Sequence, residues 1–149
     1  MTTATGRTTP PGTIVAAFAG FLVSSIAAFA GLGVLLGMHD ELVEALRVSQ
    51  PAMTEEQLRS AATVTQFVVG GFALVIALVE LWLAFKLRAG RNWARIVLTV
   101  FTAFQVVSLF VGQGTTLPAY GATAVAALAV IASYLPASNA YVESVKRAG

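Results

Sequence analysis

Four long apolar runs alternate with polar or glycine-rich segments along the chain, and that alternation predicts its architecture. The first run, 14–38, holds 25 residues without a charge. A helix crossing a bilayer needs about 20 predominantly apolar residues. The second run, 63–85, contains one charged side chain, Glu80. The third, 93–111, has Arg95 near its start, and the fourth, 119–135, is stopped by Pro136. The third and fourth runs are shorter, but Trp93 and Tyr134 lie at their ends, as Trp82 does near the end of the second. Aromatic residues at such ends mark the membrane–water boundary. The pattern predicts an all-α fold, an up-down bundle of four transmembrane helices. A secretory signal is the rival reading of the first run, because Ala28, Phe29 and Ala30 precede Gly31. The apolar run continues through Leu36, past that cut, and is longer than a signal's apolar stretch.

The polar segments complete the outline. Residues 1–13 are rich in Thr, Pro and Gly, which predicts a disordered lead, and Pro10 and Pro11 keep a helix from starting early. Segment 39–60 is the main polar loop. Asp40, Glu41 and Glu44 precede Arg47, which suits a short helix, and Pro51 breaks it. Thr54 and Gln57 then form a capping box that opens a helix continuing into the second span. Leu42, Val43 and Leu46 make a stripe that rests on the membrane surface or the bundle top, or docks a partner. Segment 86–92 is a tight basic turn with Gly90 for the reversal, and 112–118 is an uncharged turn. Residues 136–149 form a short tail helix capped by Ser138, with Tyr141, Val142 and Val145 on one face.

Composition supports lipid as the solvent. The chain of 149 residues is 57% hydrophobic and 11% charged, against about 25% charged in soluble domains. Mean hydropathy is +0.80, more apolar surface than so short a chain can hide from water. The absence of cysteine excludes disulfides and thiolate chemistry. Net charge is +2, and the basic residues flank apolar runs instead of forming a soluble face, which argues against nucleic acid as a partner. Lys86, Arg88, Arg91 and Arg95 cluster at one turn, while 39–60 carries five acidic residues and two basic ones. The positive-inside rule then places the 86–95 turn and both termini in the cytoplasm of a multi-pass inner (plasma) membrane protein, with 39–60 as a short helical extracytoplasmic loop.

Small residues predict how the helices associate. Ala16, Gly20, Ser24 and Ala28 form a row at four-residue steps on the first span, Ala27 and Gly31 a second row there, and Ala122, Ala126, Ala129 and Ser133 one on the fourth. Such rows let backbones approach, within the bundle or in a homo-oligomer. Gly31, Gly33 and Gly37 resemble a dinucleotide loop only superficially, since no strand precedes them.

Glu80 is the one acidic residue within a span. A charge there faces the bundle interior and takes a partner. Arg95 is the natural choice, and Thr99, Thr102 and Gln105 extend a polar patch along the same helix. Three uses follow. One is an ion pair pinning the hairpin, with Arg88 or Arg91 as substitute partners. The others are a proton- or cation-coupled site and a catalytic acid acting on a lipid or isoprenoid. His39, beside Asp40 and Glu41, is an interfacial polar residue or a weak metal or pH-sensing group. Nothing in the sequence calls for a metal ion or a cofactor.

The segment Gly90-Arg91-Asn92-Trp93-Ala94-Arg95, followed by Ile96, Val97 and Leu98, resembles one recurring in small uncharacterised four-helix membrane proteins of actinobacteria. The acidic first loop with its Pro break, the basic middle turn and the tail around Asn139, Ala140 and Tyr141 are similar as well. The excess of Arg over Lys, seven to two, fits that resemblance, which implies no activity. Small multidrug-resistance transporters also have four helices and one membrane carboxylate. Theirs lies in the first span, whereas this chain has its acid in the second and a longer first loop. The sequence therefore favours a non-enzymatic accessory or scaffold subunit of an envelope complex, with the lipid bilayer and a membrane-protein partner or a second copy as its contacts. A transporter using Glu80 comes second and a membrane-embedded enzyme third.

Overall fold

Pro11 is the last residue before the first helix, and its carbonyl accepts from the amides of Ile14 and Val15 at 3.0 and 3.1 Å. The structure, a computed structural model, describes residues 9–111 and 117–148. Six helices and no strand occur among the described residues. They are α1 (Gly12–Gly37), α2 (His39–Ser49), α3 (Glu55–Arg88), α4 (Asn92–Val111), α5 (Leu117–Ser133) and α6 (Pro136–Ala148). The fold is all-helical. Helices α1, α3 and α4 are each long and apolar enough to cross a membrane. A fourth crossing is made if α5 and α6, which bend by 62° at Pro136, act as one span. Residues 1–8 of the expected lead and 112–116 of the expected uncharged turn lie outside the described residues.

The chain divides into two compact units. The first combines Met1–Ser25 with Glu80–Gly149. Its helices α1, α3, α4 and α5 each bury one stripe, at steps of three or four with adjacent pairs at Ser24–Ser25 and Leu83–Ala84. The stripes are Ile14, Ala17, Phe21, Ser24 and Ser25 on α1, Glu80, Leu83, Ala84 and Leu87 on α3, Ala94, Leu98 and Thr102 on α4, and Thr123, Ala126, Ala129 and Ser133 on α5. Gly20 is where α1 meets α5. A Cβ added there would lie 2.8 Å from the Ala129 Cβ and 3.6 Å from the Val125 carbonyl oxygen.

The predicted row on α1 is met in part within the unit. Gly20 and Ser24 pack as expected, but Ala16 and Gly31 are exposed and Ala28 is half-buried. A helix advances about 100° per residue, so steps of four drift about 40° each and spiral off the contact face. On α1 the buried stripe holds the contact face by alternating threes and fours, through Ile14, Ala17, Phe21 and Ser24.

The reversal between α3 and α4 is a Schellman motif. Gly90 has φ +75°, its amide donates to the Leu87 carbonyl at 2.9 Å, and the Arg91 amide reaches Lys86 at 3.1 Å. Helix α6 lies against this turn. A Cβ on Gly90 would meet Val145 Cγ2 at 2.8 Å, and the Tyr141 hydroxyl donates to the Arg88 carbonyl at 3.2 Å. Pro136 is the first residue of α6, where its missing N–H leaves no bond unmade. Ser138 is thus not the cap. Its buried hydroxyl sits 2.7 Å from Thr13 Oγ1 and 2.9 Å from the Ala132 carbonyl, tying α6 to the start of α1 and the end of α5.

The second unit is Ile26–Val79. Here the stripe of α2 has a definite cover. Val43 is buried with Leu58 and Ala62 of α3, and Leu42, Leu46 and Met53 pack around them. The capping box forms reciprocally: the Thr54 amide donates to Gln57 Oε1 at 2.9 Å, and the Gln57 amide to Thr54 Oγ1 at 3.3 Å. From that cap α3 runs unbroken through the second apolar stretch, as the pattern predicted.

Candidate functional site

Glu80 is 3% exposed and shares the buried stripe of α3 with Leu83, Ala84 and Leu87. Two polar side chains are set against its carboxyl, Ser24 of α1 and Gln105 of α4. Beside Ser24, the Ser25 hydroxyl is buried without a hydrogen-bond partner. No cation joins this group, for Glu80 enters none of the four ion pairs among the described residues.

The expected pair of Glu80 with Arg95 is accordingly absent, and depth explains it. Glu80 lies ten residues before Gly90, and Arg95 only five after it. At about 1.5 Å per residue, the two sit roughly 7 Å apart along an antiparallel hairpin. Arg95 turns instead toward α5 and α6. Its Nη1 donates to the Ser133 carbonyl at 3.0 Å and to Asn139 Oδ1 at 2.6 Å. Its Nη2 donates to Asn92 Oδ1 at 2.7 Å, and the guanidinium lies 4.4 Å from the centre of the Tyr134 ring. Thr99 follows it, with its hydroxyl 3.1 Å from that of Tyr134.

The five residues expected to form one polar patch thus serve two places. Arg95 and Thr99 join the network at the end of α5. Gln105 belongs with Glu80. Thr102 is buried between these levels of α4. The substitute cations do not pair with Glu80 either: Arg88 stacks over Phe18 at 5.2 Å, and Arg91 makes no ion pair among the described residues. A carboxyl flanked by a hydroxyl and an amide can exchange a proton or offer oxygen to a small cation. No group of three or more His, Asp or Glu side chains placed to hold a metal ion occurs among the described residues.

A separate polar knot lies in the second unit. Buried Gln66 donates from Nε2 to the Leu35 carbonyl at 2.8 Å. That bond turns Oε1 toward His39, whose Nδ1 is 2.9 Å away. Since Oε1 can only accept, Nδ1 carries the proton. His39 therefore serves the junction of α1 and α2, not Asp40 or Glu41. Leu35 and Leu32 also approach Gly70 of α3, each 3.8 Å from where its Cβ would stand.

Sequence reading missed three participants. Ser24 was read only as a packing residue, Asn139 only as part of the tail, and Gln66 not at all. Asn139 had one usable signal, its position three residues into a helix begun by Pro136, where a short polar side chain can reach back to the preceding helix end. For Ser24 and Gln66 the partners are distant in sequence and no spacing rule finds them. Compared with protein-family models, curated proteins and solved structures, the chain gives no match.

Proposed function

We propose that this chain crosses the plasma membrane four times, with both termini in the cytoplasm, and acts as a non-enzymatic accessory or scaffold subunit of a cell-envelope complex. One observation carries this reading: Arg95 and Gln66, polar side chains within the apolar helices, are occupied in tying helices together. Arg95 spends its two terminal nitrogens on Ser133, Asn139 and Asn92. Gln66 bridges His39 and Leu35. Around these knots the outward faces are large and apolar, with Phe67 and Phe72 exposed by 75% and 72%. Such faces suit lipid and neighbouring membrane helices. The likeness of segment 90–95 to small four-helix actinobacterial proteins is consistent with a fold of this size.

In this reading α5 makes the fourth crossing and α6 turns aside along the surface. Orientation follows from the basic turn and the acidic loop. Reporter fusions test it: a periplasm-active enzyme joined within 39–60 should be active, and one joined after 148 silent. Extraction in gentle detergent followed by native mass measurement tests the accessory role. A defined partner or a fixed homo-oligomer is the expected result, and a lone monomer overturns the reading.

A second reading rests on Glu80, a buried carboxyl facing Ser24 and Gln105 and in no ion pair among the described residues. That arrangement suits a transporter that couples a proton or cation to a small molecule. Glu80→Gln keeps shape and hydrogen bonding. If the substituted protein folds but loses pH-dependent uptake into proteoliposomes, the transporter reading stands. Unchanged uptake sinks it.

A further inference from the structure

We propose that the cleft between the α3–α4 turn and α6 binds the phosphate of an anionic phospholipid headgroup. The cleft is lined by Gly90, Arg91, Asn92, Trp93, Val145 and Lys146. Arg91 and Lys146 are its two charged side chains, both are exposed, and neither makes an ion pair or a side-chain hydrogen bond among the described residues. The nearby acid is otherwise engaged: Glu143 accepts from Arg147 at 2.5 Å and does not line this cleft. Among the described residues the cleft thus holds two cations outside any ion pair and no acid in its lining, which favours an anion.

The remaining walls match a headgroup in particular. Asn92 gives its Oδ1 to Arg95, so its amide NH2 is left to donate. Asn92 and Trp93 begin α4, and the first N–H groups of a helix favour negative charge. The floor is apolar, formed where Val145 closes on Gly90. Trp93 stands 5.5 Å from Trp82, an aromatic pair of the kind that settles at headgroup depth. From Trp93 an exposed apolar strip continues along α4 through Ile96 and Val100. Those residues follow helical spacing and give an acyl chain a track leading away from the phosphate. A soluble phosphate compound would use the cations and leave this track empty. Basic pockets at the ends of membrane helices hold lipid headgroups by the same combination of charge and depth.

The test uses the full-length protein in detergent, titrated with equal amounts of phosphatidylglycerol and phosphatidylcholine of identical chains, with bound lipid counted by native mass spectrometry. The wild-type protein should retain phosphatidylglycerol preferentially. The double substitution R91Q/K146Q should reduce that preference by about fivefold for each cation, or about 25-fold for both. R91K/K146R should keep most of it. R59Q, which removes a charge outside the cleft, should leave it unchanged. Equal retention of the two lipids overturns the proposal, as does full preference in R91Q/K146Q or an equal loss in R59Q. Inorganic phosphate supplies the last arm. If it empties the site of lipid at millimolar concentration, the ligand is a free anion and the lipid assignment falls.

Discussion

The acidic loop and the basic turn handle charge in opposite ways. Between 39 and 60, both cations meet carboxylates: Arg47 binds Glu44 and Glu55 at 2.6 Å each, and Arg59 reaches Glu55 at 3.3 Å, while Asp40, Glu41 and Glu56 enter no ion pair among the described residues. Around 86–95, cations meet aromatic rings, backbone and amide oxygens, or nothing. Lys86 lies over Trp82, Arg88 over Phe18 and Arg95 over Tyr134, while Arg91 makes no ion pair among the described residues. Charges that neutralise one another locally do little beyond their own segment. Cations left unneutralised beside apolar helices remain available to the membrane surface, where each is attracted by anionic lipid. The loop's order must then come from its apolar cluster, and the turn's order from its backbone.

That contrast can be broken in steps. The largest effect should come from Leu58→Ala, which empties the cluster of Val43 and Ala62, where Leu58 is 2% exposed. A buried Leu→Ala change costs about 2–5 kcal/mol, so amides of α2 should exchange with deuterium roughly 30-fold faster or more. Next is Gly90→Ala. It forces an L-residue to φ +75° and sets a Cβ 2.8 Å from Val145 Cγ2. About 1–3 kcal/mol should be lost in denaturant titration. Adding Val145→Ala should restore only the steric part. Arg47→Gln should matter least, because its partners are exposed and screened by water. If Arg47→Gln opened α2 as far as Leu58→Ala does, the contrast would be wrong.

The loop also predicts a pH response. Arg47, by its hydrogen bond, and then Arg59 hold the Glu55 carboxyl below the usual carboxylate range. A carboxyl lowered in the folded state stabilises it above the unfolded value, and that contribution fades as pH falls through the lowered one. Protection of α2 amides, corrected for intrinsic exchange, should therefore be level from neutral pH to about 5 and decline below about 4. In Glu55→Gln this part of the decline should vanish.

Much of the fold was legible in the sequence because its signals are local. Apolar length marked α1, α3 and α4, Thr54 and Gln57 marked the start of α3, and Gly90 marked the reversal. The candidate site was legible only in part. Glu80 stood out because a carboxyl is rare in an apolar run. Its neighbours did not, since Ser24 lies 56 residues earlier and Gln105 25 later, and their meeting depends on how three helices rotate. The Arg95 pairing failed for a related reason. Opposite charge makes a pair attractive, but depth along the hairpin decides which residues can touch. The row of small residues on α1 was met only in part, because the contact with α5 at Gly20 selects one face and Ala16 and Gly31 lie off it.

The 17 residues of α5 have a consequence for the surrounding lipid. At 1.5 Å per residue the helix rises about 26 Å, less than the roughly 30 Å of a typical hydrocarbon layer. If α5 crosses alone, the bilayer beside it must thin by a few ångströms, at a fraction of a kcal/mol per ångström. The protein then favours thinner membrane on that flank. Two molecules sharing one thinned patch would deform less lipid than two apart, an attraction of elastic origin that needs no contact between them.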